Sequence, residues 1–112
     1  MRPSVPRWLP GVLKRIHDLA GAGRVRLTLK ALRELLELDL GLDEADACDV
    51  LLSLVARDSQ GRLISAHTGE WMYIFTPHIA KMHVYLKLIL RADCVMISFH
   101  EQVDDDDDEA AP

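Results

Sequence analysis

Two alternating segments on either side of residue 92 constrain the fold more than any other feature of this 112-residue sequence. Between residues 83 and 102, apolar and more polar side chains alternate, and only a short stretch at 90–95 is able to turn. Such period-two alternation in residues of high β propensity is typical of half-buried strands. It predicts a β-hairpin with one apolar and one polar face. The apolar positions are Val84, Leu86, Leu88 and Leu90 in the first strand and Val95, Ile97 and Phe99 in the second.

The register of this hairpin follows from the requirement that both apolar sets share a face. A slip of one residue would turn a whole strand over. With a tight turn at Ala92-Asp93, opposite side chains lie about 4.5–5.5 Å apart at Cβ. A slip of two residues keeps the same faces and remains open, because Ala-Asp is not a preferred turn pair. The tight turn pairs Arg91 with Cys94, Ile89 with Met96, Lys87 with Ser98, and Tyr85 with His100. We call the four open-face side chains of the last two pairs the polar patch: Tyr85, Lys87, Ser98 and His100.

Three stretches of helical periodicity precede the hairpin. Pro10 suits the first turn of a helix, and Gly21 ends it. Thr28 and Asp43 are suitable N-caps for two further helices, the first of which we expect to end at Gly41. The expected inward positions are Val12, Leu13, Ile16, Leu19 and Ala20 in the first helix, Leu29, Leu32, Leu35 and Leu36 in the second, and Ala47, Cys48, Val50, Leu51, Leu54 and Val55 in the third.

Strand patterns begin after the third helix. A hairpin is predicted over residues 62–76 with its turn at Thr68-Gly69, and Pro77 ends it because proline cannot donate to a ladder. A loop follows, and residues 24–27 form a short linker that can be extended. Three helices and then about four antiparallel strands predict an α+β fold with the helices on one face of the sheet. Three alternating aromatic residues are expected in the core rather than as a base-stacking surface: Trp71, Tyr73 and Phe75.

Charge is distributed unevenly along the chain. The net charge is −5, but six of the 18 acidic residues stand together from Asp104 to Glu109. Removing them leaves 12 acidic residues against 13 Lys and Arg. Like charges in such a run repel and bury nothing. We therefore predict one folded domain over residues 1–103 and a disordered acidic tail over residues 104–112.

Composition disfavours several classes of protein. No apolar run approaches the roughly 18 residues that cross a bilayer, and the first ten residues lack the apolar core of a secretion signal. Two lone cysteines, Cys48 and Cys94, are typical of a reducing compartment and cannot form a tetrahedral zinc site alone. We therefore expect a cytoplasmic protein with no membrane contact, no metal site and no cofactor.

The polar patch contains the groups needed to cleave RNA by means of its own 2′-hydroxyl. One group must remove the 2′-OH proton, another must protonate the leaving 5′ oxygen, and positive charge must face the phosphate. Histidine exchanges protons near neutral pH, so His100 suits either role, and Tyr85 can donate to the phosphate or be activated against it. Arg62, Lys81 and Lys87 can hold the RNA. The alternative is an ordinary solvated sheet face.

Several motifs, in order and spacing, resemble the motility quorum-sensing regulator (MqsR) family of toxins. They are AGAGRVRLTLKAL after the first helix, LGLDEADACDVLLSL around the third, HTGEWMYIFTP in the first hairpin, and VYLK followed by CVMISFHE in the last. Together they cover about residues 13–101. The resemblance implies a RelE-like fold and a metal-independent endoribonuclease that cleaves single-stranded mRNA, the toxin of a type II toxin–antitoxin system with a cognate antitoxin as partner.

The functional residues of that family carry over in part. Its strand tyrosine matches Tyr85, and its basic residue after Ser-Phe falls on His100, where histidine replaces lysine. Its glutamine after tryptophan falls on Met72. Its lysine after the third helix has no clean match, with Arg62 the nearest cation and Arg57 the next. The resemblance thus implies Tyr85, His100 and Arg62 as catalytic residues.

Three polar residues and the acidic tail have further predicted roles. Lys87, Lys81 and Ser98 are expected to bind RNA, and the acidic tail is hypothesised to compete with RNA for the cations. The alternative function is a catalytically impaired member of the family that acts as an RNA- or protein-binding regulatory module. The loss of the polar side chain at Met72 favours this alternative.

Overall fold

The computed structural model describes residues 5–102. Residues 1–4 and 103–112 lie outside the described part, and with them the predicted acidic tail. Within residues 5–102 the chain forms three α-helices, one short 3-10 helix and six β-strands. None of the helices in this part is long and apolar enough to cross a membrane.

Two of the three helices begin at a side-chain capping group. The helices are α1 (Leu9–Gly21), α2 (Leu29–Glu37) and α3 (Glu44–Leu52), followed by a 3-10 turn at Ala56–Asp58. Thr28 Oγ1 accepts a hydrogen bond from the Ala31 N–H at 3.1 Å. Asp43 and Asp46 form a reciprocal capping box, which satisfies two otherwise unpaired N–H groups. Both predicted N-caps are confirmed, whereas α2 ends at Glu37, before the predicted Gly41.

The sheet is larger than predicted, and it is mixed. Its strands are β1 (Val25–Leu27), β2 (Ser59–Ile64), β3 (Trp71–Phe75), β4 (His78–Ile79), β5 (Met82–Leu90) and β6 (Cys94–Glu101). The order is β1-β6-β5-β3-β2, with β4 pairing beside the start of β5. The prediction of four antiparallel strands was wrong in two places. The expected linker is β1, which pairs parallel to β6, and the expected loop after Pro77 contains β4.

The β5–β6 hairpin keeps the predicted register at its far end and loses it near the turn. Tyr85 lies opposite His100, and Lys87 opposite Ser98. Between Lys87 and Leu88 the register shifts, and Ile97 is the extra residue of a β-bulge. The predicted pairs Arg91–Cys94 and Ile89–Met96 are therefore wrong. The observed pairs near the turn are Leu88–Met96, Ile89–Val95 and Leu90–Cys94.

The bulge decides which face of β6 enters the core. Cys94, Met96 and Phe99 are all completely buried, although an unbroken strand would place Phe99 on the opposite face. Val95, predicted to point inward, lies instead on the open face opposite Ile89. The extra residue lets one strand supply apolar side chains to the core on both sides of Ile97.

The core lies between the helices and one face of the sheet. Tyr73 and Phe75 are buried there, as predicted, but Trp71 is 39% exposed. Within the helices the predicted inward positions were wrong at Leu29, Leu36 and Val55, which are exposed. The helical face that packs is centred on Ala31 and Leu35 in α2. The completely buried side chains include Leu9, Ile16, Leu35, Leu51, Leu54, Phe75, Val84, Leu86, Leu88, Met96 and Phe99.

Candidate active site

Tyr85 and His100 form an aromatic pair on the open face of the β5–β6 hairpin. They are directly opposite residues of the ladder. Their ring centroids are 5.0 Å apart, and the ring planes differ by only 11°, an offset-stacked distance for two aromatic rings. Neither ring depends on a loop for its position, because β5 and β6, which pair with each other along residues 84–90 and 94–101, carry both. The sequence-based expectation that these side chains meet is confirmed.

The orientation of His100 fixes which nitrogen is available. Nδ1 lies 2.9 Å from the Glu101 carbonyl oxygen. A carbonyl oxygen only accepts hydrogen bonds, so Nδ1 carries the proton and donates it. In the neutral imidazole, Nε2 then keeps its lone pair and can accept a proton.

Tyr85 is half-buried, in contrast to a freely solvated phenol. Burial raises the pKa of the Tyr85 phenol above its ordinary value of 10.0, because desolvation disfavours the phenolate. The phenol therefore stays protonated at neutral pH and is able to donate. The pair thus combines a proton acceptor and a proton donor on one rigid surface.

Lys87 and Ser98 form the next pair of the ladder on the same face. They lie opposite each other, two residues from Tyr85 and His100 respectively. Ser98 is 3% exposed, and its hydroxyl has a partner from outside the hairpin. Lys30 of α2 donates from Nζ to Ser98 Oγ at 3.0 Å. Lys30 was not predicted from the sequence as a site residue.

Glu34, one turn after Lys30 in α2, was also missed. Its Oε1 accepts a hydrogen bond from the Phe99 N–H at 2.9 Å, and its Oε2 lies 2.9 Å from Lys30 Nζ. Burial alone would raise the pKa of Glu34, but the Phe99 N–H and the Lys30 ammonium outweigh it and lower that pKa. The spacing of Lys30 and Glu34 is a detectable i,i+4 pair. Their contact with β6 has no local sequence signal.

Arg62 does not join the Tyr85–His100 pair. The β2–β3 register pairs Ile64 with Trp71 and Arg62 with Tyr73, whose side chain enters the core. The guanidinium carbon lies 3.8 Å from the Trp71 ring centroid and 4.8 Å from that of Trp8. These are cation–π distances, and they place Arg62 on the helix-facing side of the sheet.

The remaining candidate residues lie in three different places. Lys81 is exposed in the β4–β5 turn, with φ +68°. Met72 lies on the open face and, with Lys87, lines a groove of about 630 Å³. Arg57 is exposed in the 3-10 turn and lines a separate depression beside Gly61. The structure therefore does not bring Arg57 to Tyr85 and His100.

Three depressions are each lined by one residue of the polar patch: Lys87, Tyr85 or His100. The 630 Å³ groove has an apolar floor that includes Ile89 and Val95. A depression of about 420 Å³ lies beside Tyr85 and His83, and one of about 360 Å³ is lined by Glu34 and His100. Within residues 5–102 no group of three or more His, Cys, Asp or Glu side chains is arranged to hold a metal ion.

The fold and the patch together define a class of protein. It is a small α+β protein whose open sheet face presents a stacked tyrosine and histidine beside lysine side chains. The model of one toxin family, described as "Motility quorum-sensing regulator, toxin of MqsA", matches residues 11–101. A curated relative, the mRNA interferase toxin MqsR of Escherichia coli strain K12, is 34% identical over 92 residues. That alignment covers 80% of this chain and 91% of the relative. The chain belongs to the motility quorum-sensing regulator family of toxins.

Proposed function

We propose that this protein is the toxin of a type II toxin–antitoxin system and that it cleaves single-stranded mRNA as an endoribonuclease. Two findings support the proposal: the family, described as the toxin of a partner, MqsA, and the relative, named as an mRNA interferase. The observation that carries it is the Tyr85–His100 pair, with rings 5.0 Å apart. By the same comparison we propose a cognate antitoxin as partner, action in the cytoplasm and a RelE-like fold.

The proposed reaction is an attack of the substrate's own 2′-oxygen on the neighbouring phosphorus. His100 Nε2 accepts the 2′-OH proton, since Nδ1 is committed to the Glu101 carbonyl. The P–O5′ bond breaks as the O2′–P bond forms, and the Tyr85 phenol donates its proton to the leaving 5′ oxygen. The products are a 2′,3′-cyclic phosphate and a 5′-hydroxyl, and these steps require no metal ion. Lys87 supplies positive charge to the phosphate.

The other candidate residues have different proposed roles. Ser98 and Lys81 bind the RNA backbone, the first beside Lys87 and the second from the exposed β4–β5 turn. Arg62 takes no part in the proton transfers, because its guanidinium lies between Trp8 and Trp71. Its proposed role is structural: it packs β2 against the N-terminal end of α1.

One observation favours a second candidate function. Met72 supplies a thioether beside Lys87, where the family resemblance implies a glutamine. A thioether is only a weak hydrogen-bond acceptor. A member of the family that retained RNA or antitoxin binding without efficient cleavage is therefore the alternative.

Cleavage of RNA in EDTA tests both candidates. We expect wild-type protein to cut RNA, and His100→Ala and Tyr85→Phe to lose at least about 100-fold in rate, the usual contribution of a general acid or base. Tyr73→Phe and His17→Gln are the matched controls, since both residues lie away from the open face. Intact RNA with wild-type protein, together with retained RNA or antitoxin binding, would support the binding module instead.

A further inference from the structure

We propose that Lys30, Ser98 and Lys87 form a second phosphate-binding subsite, which holds the RNA phosphate next to the one that is cleaved. The proposal rests on the proposed function and extends it to a residue outside the strands. Lys30 Nζ lies 3.0 Å from Ser98 Oγ, and Ser98 is directly opposite Lys87. One lysine from α2 thus bonds the hydroxyl directly, and a second lysine, from β5, occupies the ladder position opposite it.

The subsite is adjacent to the Tyr85–His100 pair on the same face. Residues i and i+2 of a strand share a face, and their Cα atoms lie about 6.6–6.8 Å apart. Lys87 is that distance from Tyr85, and Ser98 is that distance from His100, on strands that are hydrogen-bonded to each other. A single-stranded RNA with its scissile phosphate at the pair therefore passes over Ser98 with its neighbouring phosphate.

Glu34 holds Lys30 in position for this role. Its carboxylate is fixed by the Phe99 N–H at 2.9 Å and pairs with Lys30 at 2.9 Å. The Lys30 side chain nevertheless remains 58% exposed, against 20% for Glu34. An ammonium has three donors; one bonds Glu34 and one Ser98, and a long contact of 3.4 Å reaches the Ile97 carbonyl. A phosphate oxygen replaces that weakest contact.

An ordinary surface ion pair would look different, and the chain contains one for comparison. Lys14 and Asp18 have the same i,i+4 spacing and a similar distance of 2.8 Å, but their side chains are 77% and 64% exposed. That pair lies on α1. Lys30 differs because its ammonium also bonds a buried hydroxyl on the candidate active face, so Lys14→Met is the matched control for Lys30→Met.

Binding of a 2′-O-methyl RNA at several salt concentrations tests the subsite without cleavage, since this RNA lacks the nucleophile. A phosphate contact to single-stranded nucleic acid adds about 0.7 to the slope of log affinity against log salt. We expect Lys30→Met to lower the slope by about 0.7 and the affinity at low salt roughly tenfold. Lys14→Met should leave both unchanged, and Lys30→Arg should restore both.

Glu34→Gln should change the affinity for RNA in the direction opposite to Lys30→Met. Glutamine can still accept from the Phe99 N–H but no longer neutralises Lys30, so affinity for the RNA should rise. If Glu34→Gln weakens binding as Lys30→Met does, the two residues only support the strand and the subsite is disproved.

Failure of the subsite and failure of the proposed function give different results. Wild-type protein that cleaves RNA, with Lys30→Met unchanged in slope and affinity, overturns the subsite and leaves the function standing. Wild-type protein that neither cleaves nor binds RNA overturns both. Thermal unfolding of each variant shows whether lost binding reflects lost folding.

Discussion

The two halves of the β5–β6 hairpin share the same strands, but the open face is polar in one half and apolar in the other. In the site half, residues 84–87 pair with residues 98–101, and the open face is polar, stacked and supported from α2. In the turn half, residues 88–90 pair with residues 94–96. There the open face is apolar, with Ile89 5% and Val95 7% exposed.

The bulge at Ile97 separates these halves, and it explains how both can exist on one strand. β6 contains too many apolar residues to place all of them inward by simple alternation. By inserting one residue, the strand buries Phe99 beside Leu86 and Met96 beside Leu88. The open face of the site half thereby keeps its polar side chains, Tyr85, Lys87, Ser98 and His100.

Deletion of Ile97 should have the largest effect, because it removes the bulge. The ladder would then have to turn Cys94 and Met96 out of the core or turn Phe99 out of it. We expect a loss of more than about 4 kcal/mol in the free energy of unfolding, measured by urea denaturation. Ile97→Ala keeps the residue count and serves as the control. A deletion variant as stable as this control would show that the bulge does not set the faces.

Within the site half, Phe99 and His100 are neighbours on opposite faces of β6. Substitution of Phe99 should lower stability, whereas substitution of His100 should lower activity. Phe99→Ala removes a fully buried ring and should cost about 3–5 kcal/mol. His100→Ala should cost less than about 1 kcal/mol while abolishing RNA cleavage. Urea denaturation and a cleavage assay on both variants check the pair. Equal destabilisation by the two substitutions would contradict the assigned faces.

The phenol of Tyr85 should lose its proton at a higher pH than an ordinary tyrosine. Burial raises the pKa of this phenol above 10.0, so the neutral form is favoured in the folded protein. The stability that the neutral phenol contributes is lost only as pH rises through the raised pKa. The ultraviolet difference between wild type and Tyr85→Phe should therefore develop above pH 10. A phenolate signal near neutral pH would reverse the proposed proton roles.

In the turn half, the ion pair between Glu70 and Arg91 should give the smallest effect. Arg91 donates to both oxygens of Glu70, at 2.9 and 2.7 Å, and these bonds lower the pKa of Glu70 from 4.5 to about 2. A lowered pKa stabilises the fold at higher pH. Thermal unfolding should show wild type slightly more stable than Glu70→Gln above about pH 5. The difference should vanish as pH falls through about 2, whereas a constant difference would assign it to packing.

Much of the fold follows from local sequence signals, and the errors have physical causes. Capping residues and apolar periodicity are local, so the caps at Thr28 and Asp43 and the presence of the two main hairpins were predicted correctly. The bulge was not predictable, because Val95, Met96 and Ile97 form an unbroken apolar run that fits either face. β1 is only three residues long, and its strand character depends on a parallel neighbour far along the chain.

The candidate site was predictable where it depends on one hairpin and not where it depends on tertiary packing. Tyr85 and His100 were correctly paired by register alone. Arg62 was assigned to the site as the nearest cation in the chain, whereas its pairing opposite Tyr73 places it on the helix-facing side of the sheet. Lys30 and Glu34 were missed because the docking of α2 along β6 depends on the whole core rather than on any nearby residue.

The Glu34–Phe99 hydrogen bond has a consequence for the edge of the sheet. β1 pairs with β6 only through residues 94–96, and within residues 5–102 no other strand lies beside the remainder of that edge. An uncovered edge invites strand addition by another chain. At Phe99 a carboxylate from α2 occupies the N–H that an added strand would need. The protein thus closes this edge with a helix side chain, and the surface beside His100 remains open to ligands without becoming a template for aggregation.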